Sequence, residues 1–229
     1  KLDENLHLVP GNYFVIGGRP SAGKTALSLQ LAAGMAKQGK RVCYFSLETD
    51  PATLQARLIA NQLYAPLSAV KNKTLSINEL DRLADMKRWP LYIRSAAGKG
   101  VAWIKAQALR MKADIIFVDY LQLIHERGSS DRYNAITEIS IALHELAQTT
   151  GILVVALAQL NRNAARAEPS NADLRESGQI EQDADAILLL SADGDTYFSR
   201  LTKNKEGRVG NAGLEFDKMT QRFTCVTAN

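Results

Sequence analysis

The chain has 229 residues, of which 46% are hydrophobic and 23% charged, with a formal net charge of +4. This length suits one large α/β domain with its own core, and no apolar run approaches the ~18 residues of a membrane span. The polar start Lys1-Leu2-Asp3-Glu4-Asn5 is unlike a signal peptide, so a cytoplasmic protein is expected. A pI near 9.0 is compatible with a nucleic-acid partner and does not require one. Cys43 and Cys225 both sit in apolar runs and are expected to be reduced core thiols. No Cys/His spacing suggests a zinc site.

In chain order, Tyr13–Ile16 reads as a strand and Lys24–Lys37 as a helix with one apolar face, ended by Gly39. Arg41–Leu47 is the next strand. Asp50 then caps a helix with Pro51 at its first position. A further helix over Ile77–Trp89 starts after Ser76 and stops before Pro90, and another covers Val101–Met111. The run Asp114–Asp119 is a buried strand ending in an acid. Arg132–Thr149 is a long helix and Gly151–Leu157 an apolar strand. Leu160–Ile180 is polar, carries several arginines and reads as a long loop. After a strand at Ala186–Ser191, the tail from Tyr197 to Val226 alternates, with turn signals at Gly207, Gly210 and Gly213, as antiparallel hairpins at a sheet edge do. Alternating apolar runs and amphipathic stretches predict an α/β fold with a mostly parallel sheet flanked by helices.

The stretch Gly18-Arg19-Pro20-Ser21-Ala22-Gly23-Lys24-Thr25 fits the phosphate-binding pattern G-x-x-x-x-G-K-T and lies between a strand and a helix. Glycines let such a loop turn its N–H groups inward, and the helix start adds the positive end of a dipole. Lys24 is suited to β- and γ-phosphates, and the Thr25 hydroxyl to Mg²⁺. Asp119, after four apolar residues, has the place of a Walker B acid. Glu48 follows the Val42–Leu47 strand, and local pattern leaves two readings open: a group that orients or deprotonates water, or an exposed acid before the Asp50 cap. Gln159 leaves the Ile152–Ala158 strand, where its amide could sense a γ-phosphate.

Six stretches in this order resemble the ATPase domain of DnaB-type hexameric replicative helicases, within the RecA superfamily. They are residues 18–25, Phe-Ser-Leu-Glu (45–48), Val-Asp-Tyr-Leu-Gln-Leu (118–123), Ala-Gln-Leu-Asn-Arg (158–162), Leu-Arg-Glu-Ser-Gly (174–178) and Ile-Glu-Gln-Asp-Ala-Asp (180–185). The resemblance implies a RecA-like P-loop NTPase core that hydrolyses ATP with Mg²⁺. Gly18 to Ala26 would hold the nucleotide, Thr25 and Asp119 the metal, and Arg57 would pack near the base. Glu48 becomes the catalytic base, and Gln159 the group coupling nucleotide state to DNA-contacting loops.

By the same resemblance Arg175, Glu176 and Gly178 belong to a loop that touches single-stranded DNA in a central channel, with Arg162 and Arg166 adding charge nearby. Six such loops in a ring would grip a phosphate spiral without reading sequence. Glu126–Arg132 is a weaker second channel loop. Lys203-Asn204-Lys205-Glu206-Gly207-Arg208 matches a lysine followed two positions later by an arginine finger that reaches a neighbouring subunit's ATP. The finger position here is Lys205, which keeps the charge but not the planar fork; Arg208 is the alternative finger. Implied partners are single-stranded DNA, further copies in a homohexamer, primase and a helicase loader, with 5′→3′ movement and strand separation during DNA replication.

The chain reads as a single domain over 1–229. The family's N-terminal collar and linker helix have no counterpart in a chain whose phosphate loop opens at Gly18, so monomers or loose oligomers are expected. Two other readings share the core. One is an assembly or loading module that binds ATP but hydrolyses it poorly, favoured by Lys205 and opposed by Glu48. The other is a RecA-type recombination ATPase, opposed by the 174–178 and 180–185 stretches.

Overall fold

The computed structural model describes residues 6–125, 132–160 and 178–226. Nine strands form one sheet: β1 (Tyr13–Gly18), β2 (Val42–Ser46), β3 (Leu91–Ser95), β4 (Ile115–Asp119), β5 (Leu153–Gln159), β6 (Ala186–Asp193), β7 (Thr196–Asn204), β8 (Gly210–Asp217) and β9 (Arg222–Cys225). Their order is β3-β2-β4-β5-β1-β6-β7-β8-β9. The run from β3 to β6 is parallel, and β6 to β9 is antiparallel. The helices are α1 (Lys24–Lys37), α2 (Pro51–Leu63), α3 (Leu67–Lys71), α4 (Ile77–Met86), α5 (Val101–Arg110), α6 (Arg132–Thr150) and α7 (Gly178–Asp183).

The parallel strands are apolar at nearly every position because both faces are covered, and the period of two sorts their side chains between two cores. Tyr13 and Val15, Cys43 and Phe45, Ile116 and Val118, and Ile187 and Leu189 face the side packed by α5 and α6. Phe14 and Ile16, Val42 and Tyr44, Ile115 and Phe117, and Leu188 and Leu190 face α1 and α2. The same parity puts Asp119, next after Phe117 on its face, on the α1 side. Parallel strands with helices on both faces leave their carboxyl ends open as a shared edge, the usual ligand position in such sheets.

Local signals act where expected. Asp50 accepts from the N–H groups of Ala52 at 2.9 Å and Thr53 at 3.2 Å, with Pro51 at the first helical turn. Ser76 and Glu79 form a capping box at α4.

Several boundaries differ from the sequence reading. α4 ends at Met86 rather than Trp89, since Arg88 and Trp89 close tighter turns onto Asp85 and Met86 ahead of Pro90. β3 has no counterpart in that reading; it is an edge strand of five residues, too short for its alternation to stand out. α3, five residues long, is too short to show a period. Gly207 lies in the β7–β8 bend as expected, but Gly210 and Gly213 lie inside β8, and the other two hairpin bends fall at Gly194 and at Lys218–Gln221, with Gln221 at φ 58°. α7 begins inside the expected Leu160–Ile180 loop, of which residues 161–177 lie outside the described residues. Cys43 is buried as expected but Cys225, on the outermost strand, is exposed.

The antiparallel end curls over α1. The Gln30 amide of α1 pairs with the backbone of Phe223, donating to its carbonyl and accepting from its N–H, both at 2.9 Å. Asn61 of α2 donates to Gln221 O at 2.7 Å. An edge strand thus has backbone groups satisfied by side chains of the opposite layer, which blunts it for pairing with other chains. Tyr197, Phe216 and Phe223 form an aromatic cluster beneath this cover.

Candidate functional site

β1 delivers Gly18 to the carboxyl edge, and residues 19–23 turn the chain into α1. Gly23 caps α1 at φ 89°, in the left-handed region that favours glycine. A Cβ at Gly18 would fall 2.8 Å from Leu190 O, and one at Gly23 would fall 2.6 Å from Phe223 Cζ. Both glycines are therefore required by close packing, and the loop is seated on β6 and on a ring from β9. No side chain caps the start of α1, so its first N–H groups are left for an anion. Lys24 Nζ donates to Gly18 O at 2.7 Å and Arg19 O at 2.9 Å. Burial pushes its pKa down to about 8, against the pull of Asp119 and Glu48. Gly18 to Ala26, with Arg19, Pro20, Ser21 and Ala22 between, thus form one continuous loop and helix start. Ser21 also takes a positive φ of 63°.

Strand parity gathers a second set of groups beneath the loop. Asp119 Oδ2 accepts from Thr25 Oγ1 at 2.8 Å and from Tyr44 OH at 2.9 Å. Ser28 Oγ lies 2.8 Å from Tyr44 OH, and Tyr44 stacks on Phe117 at 5.7 Å. Asp119 is 4% exposed. Burial raises its pKa, opposed by its bonds from Thr25 and Tyr44 and by Lys24. Among the described residues no cluster of three His, Cys, Asp or Glu side chains could hold a metal alone. A Thr–Asp pair beside a polyphosphate cradle fits Mg²⁺, which takes one or two protein oxygens plus phosphate oxygens and water.

β2 neighbours β4, Ser46 opposite Asp119. Leu47 N continues the pairing to Asp119 O at 2.8 Å. Glu48 follows in a bend stabilised by Ser46 Oγ, which bonds Thr49 O at 2.6 Å and Thr49 N at 3.1 Å. Its carboxylate is exposed at the same edge and close enough to act on Lys24 and Asp119. On the other side Gln159 pairs with Gly18 across β5 and β1. The Gln122 side chain clasps its backbone, donating to Gln159 O at 2.9 Å and accepting from Gln159 N at 3.1 Å. Arg57 is half-buried on α2, near Tyr44, whose hydroxyl is pushed well up by burial and by Asp119, with the Arg57 guanidinium pulling the other way.

Lys203 and Lys205 are not brought to this edge. Lys205 N donates to Asp185 O at 2.9 Å, and Asp185 is bonded to Tyr13, the first residue of β1. The five-residue climb from Tyr13 to Gly18 separates the level of Lys205 from the phosphate loop by roughly 16 Å; Lys203 pairs with Ile187, level with Val15, three residues short of Gly18, and its Nζ turns away to the end of α7. Arg208 is exposed in the β7–β8 connection, and its carbonyl accepts from Asn204 Nδ2 at 3.1 Å. Gly178 is the exposed first residue of α7. Arg162, Arg166, Arg175 and Glu176, and residues 126–131 of the second candidate loop, lie outside the described residues.

Tyr44, which donates to Asp119 and lies within hydrogen-bond reach of Ser28, is only a strand residue in the sequence reading, and two more distant contributors escape it as well. Phe223 is one apolar position in an expected hairpin, with nothing local to say that it meets Gly23. Gln122 lies within the 118–123 stretch, which assigns it no role of its own.

Residues 1–225 match the family described as DnaB-like helicase C terminal domain. The chain is 35% identical to a probable plasmid replicative DNA helicase of Chlamydia trachomatis, over 98% of this chain and 53% of the relative. It is 36% identical to the replicative DNA helicase DnaB of Treponema pallidum, over 92% of this chain and 51% of the relative. The chain therefore spans about half the length of these relatives. Among solved structures, one ATPase domain superposes with a TM-score of 0.88 at 29% identity, covering 96% of this chain and 86% of that one. A DnaB-like replicative helicase studied for its interactions with primase gives 0.85 at 30% identity, covering 94% and 57%. The sheet order, the phosphate loop and these likenesses agree on a RecA-like core, and the chain belongs to the family of DnaB-like helicase C-terminal domains.

Proposed function

We propose that this chain is the motor of a replicative DNA helicase, hydrolysing ATP to move 5′→3′ on single-stranded DNA and part the duplex in the cytoplasm. One observation carries the reading: a glycine-framed phosphate loop, the Thr25–Asp119 pair and Glu48 meet at one sheet edge. Lys24 and the α1 N–H groups would bind the phosphates. Thr25 and Asp119 would hold Mg²⁺, which neutralises developing phosphate charge when bound. Glu48 would take the proton of the attacking water as general base. Gln159, beside Gly18, is suited to report the state of the phosphate to β5 and the segment after it.

The distance of Lys203 and Lys205 from their own phosphate loop supports a role at a neighbour's site, and so a ring of copies. There they would offset charge on the γ-phosphate. Arg162, Arg175, Glu176 and Gly178 are proposed to face DNA in that ring. Primase and a helicase loader are proposed partners of the whole protein. Glu48→Gln tests the chemical assignment in the intact gene product. ATP affinity should persist while turnover falls about a hundred- to ten-thousand-fold, the worth of a general base. Turnover within about twofold of wild type would refute it.

A further inference from the structure

The stretch Ile180–Asp185 is used by none of the roles above, yet it meets both finger lysines within one subunit. Lys203 Nζ donates to Glu181 O and, at 3.1 Å, to Gln182 O, the carbonyl end of α7. Helix C-terminal carbonyls lack intrahelical donors, and a cation there is favoured. Lys205 Nζ pairs with Asp185 Oδ1 at 2.7 Å, while Asp185 Oδ2 accepts from Tyr13 N at 2.8 Å. α7 is itself anchored, because buried Asp183 accepts from Ser140 of α6 and from Gln179, both at 2.7 Å.

A β-bulge creates this arrangement. Leu188 pairs with Leu201 but Ile187 pairs with Lys203, so Thr202 is the extra residue. Without the bulge Lys203 would share the face of Leu201, buried on the α1 side. With it, Lys203 follows Ile187 to the opposite face, where α7 packs. Lys205, two residues on, keeps that side.

We propose that Glu181–Asp185 is an intramolecular dock for the finger lysines, with Asp185 the positioning residue for Lys205, so that engaging a neighbour's nucleotide requires leaving the dock. This rests on the reading of Lys203 and Lys205 as trans-acting fingers. The exchange makes the end of α7 responsive to the neighbouring ATP: when Lys203 leaves, the carbonyls of Glu181 and Gln182 lose that donor, while the Asp183–Ser140 bond holds the helix in place.

The test uses the assembled intact gene product. Asp185→Asn keeps an amide oxygen for Tyr13 N and removes the ion pair. The ATP concentration for half-maximal turnover should fall about two- to fivefold, the range of a half-exposed ion pair, and the fall should vanish in the Lys205→Ala background. An unchanged half-maximal concentration, or an equal fall in both backgrounds, overturns the inference. If Lys205→Ala alone leaves assembled turnover unchanged, the finger reading fails and this inference with it; if turnover needs Lys205 but ignores Asp185→Asn, only the inference fails. A second readout needs no variant: a non-hydrolysable ATP analogue should speed hydrogen exchange at the Ala184 amide, which bonds Ile180 O at 3.0 Å, in assembled wild type. Unchanged exchange there counts against the dock.

Discussion

Phe223→Ala probes the dependence of the phosphate loop on the last strand. The Phe223 ring is 3% exposed, lies 4.5 Å from the Phe216 ring and 5.5 Å from Tyr197, and meets Gly23 at the turn into α1. Removing a buried phenyl ring costs about 3–5 kcal/mol of stability. In a domain of this size each kcal/mol shifts Tm by about 2–4 °C, so a drop of roughly 6–20 °C is expected. That cost alone leaves the affinity of the folded protein unchanged. Because the ring also supports Gly23, ATP-analogue affinity should weaken about five- to thirtyfold, corresponding to roughly one to two kcal/mol. The assay is a thermal melt together with a fluorescent-analogue titration well below the transition. Phe223→Leu, which keeps an apolar side chain against the loop, should lie between. A lowered Tm with unchanged affinity would show that the ring is core packing and nothing more, and would refute the coupling.

Other outcomes follow from the same contacts. Gly18→Ala drives a methyl group to within 2.8 Å of Leu190 O, a backbone atom that cannot step aside cheaply; analogue binding should weaken at least about tenfold, and unchanged binding would contradict the packing. Cys225 is exposed while Cys43 is buried, its thiol pushed up to about 11. A thiol reagent should therefore label Cys225 in the native protein and Cys43 only on unfolding, as mass spectrometry would show. Asp114 accepts from Arg41 N and its guanidinium, which holds its pKa below the usual carboxylate range. A carboxyl depressed by folding stabilises above its unfolded pKa and loses that contribution as pH falls through the folded value. Asp114→Ala should cost about 0.2–1 kcal/mol near neutral pH, because the pair is partly exposed, and the gap from wild type should close in acid. A gap independent of pH in denaturant titrations would contradict this.

The phosphate loop was legible because a fixed spacing of Gly18, Gly23, Lys24 and Thr25 sits between a strand and a helix. Asp119 was legible because an acid closes an apolar run, and parity then carries it to the α1 face. Glu48 was ambiguous from local pattern and gained its proposed role through the resemblance. The contacts that seat the site were not legible. Phe223 is 200 positions from Gly23, Gln122 meets Gln159 across two strands, and the bulge at Thr202 leaves no mark in an alternating tail. These are long-range pairings fixed by how the sheet curls and by register, neither of which a local period records. β3 escaped for a different reason: its alternation runs over only five residues at a sheet edge, too few to set a period apart from chance.

ATP turnover of the intact gene product, with and without single-stranded DNA at two salt concentrations, tests most directly the assignment of this chain as a helicase motor. Turnover should rise with DNA and lose that stimulation at high salt, because the proposed contacts of basic loops with phosphates weaken as salt rises. Tight ATP binding with negligible turnover, indifferent to DNA at either salt, would contradict it and favour an ATP-binding assembly module.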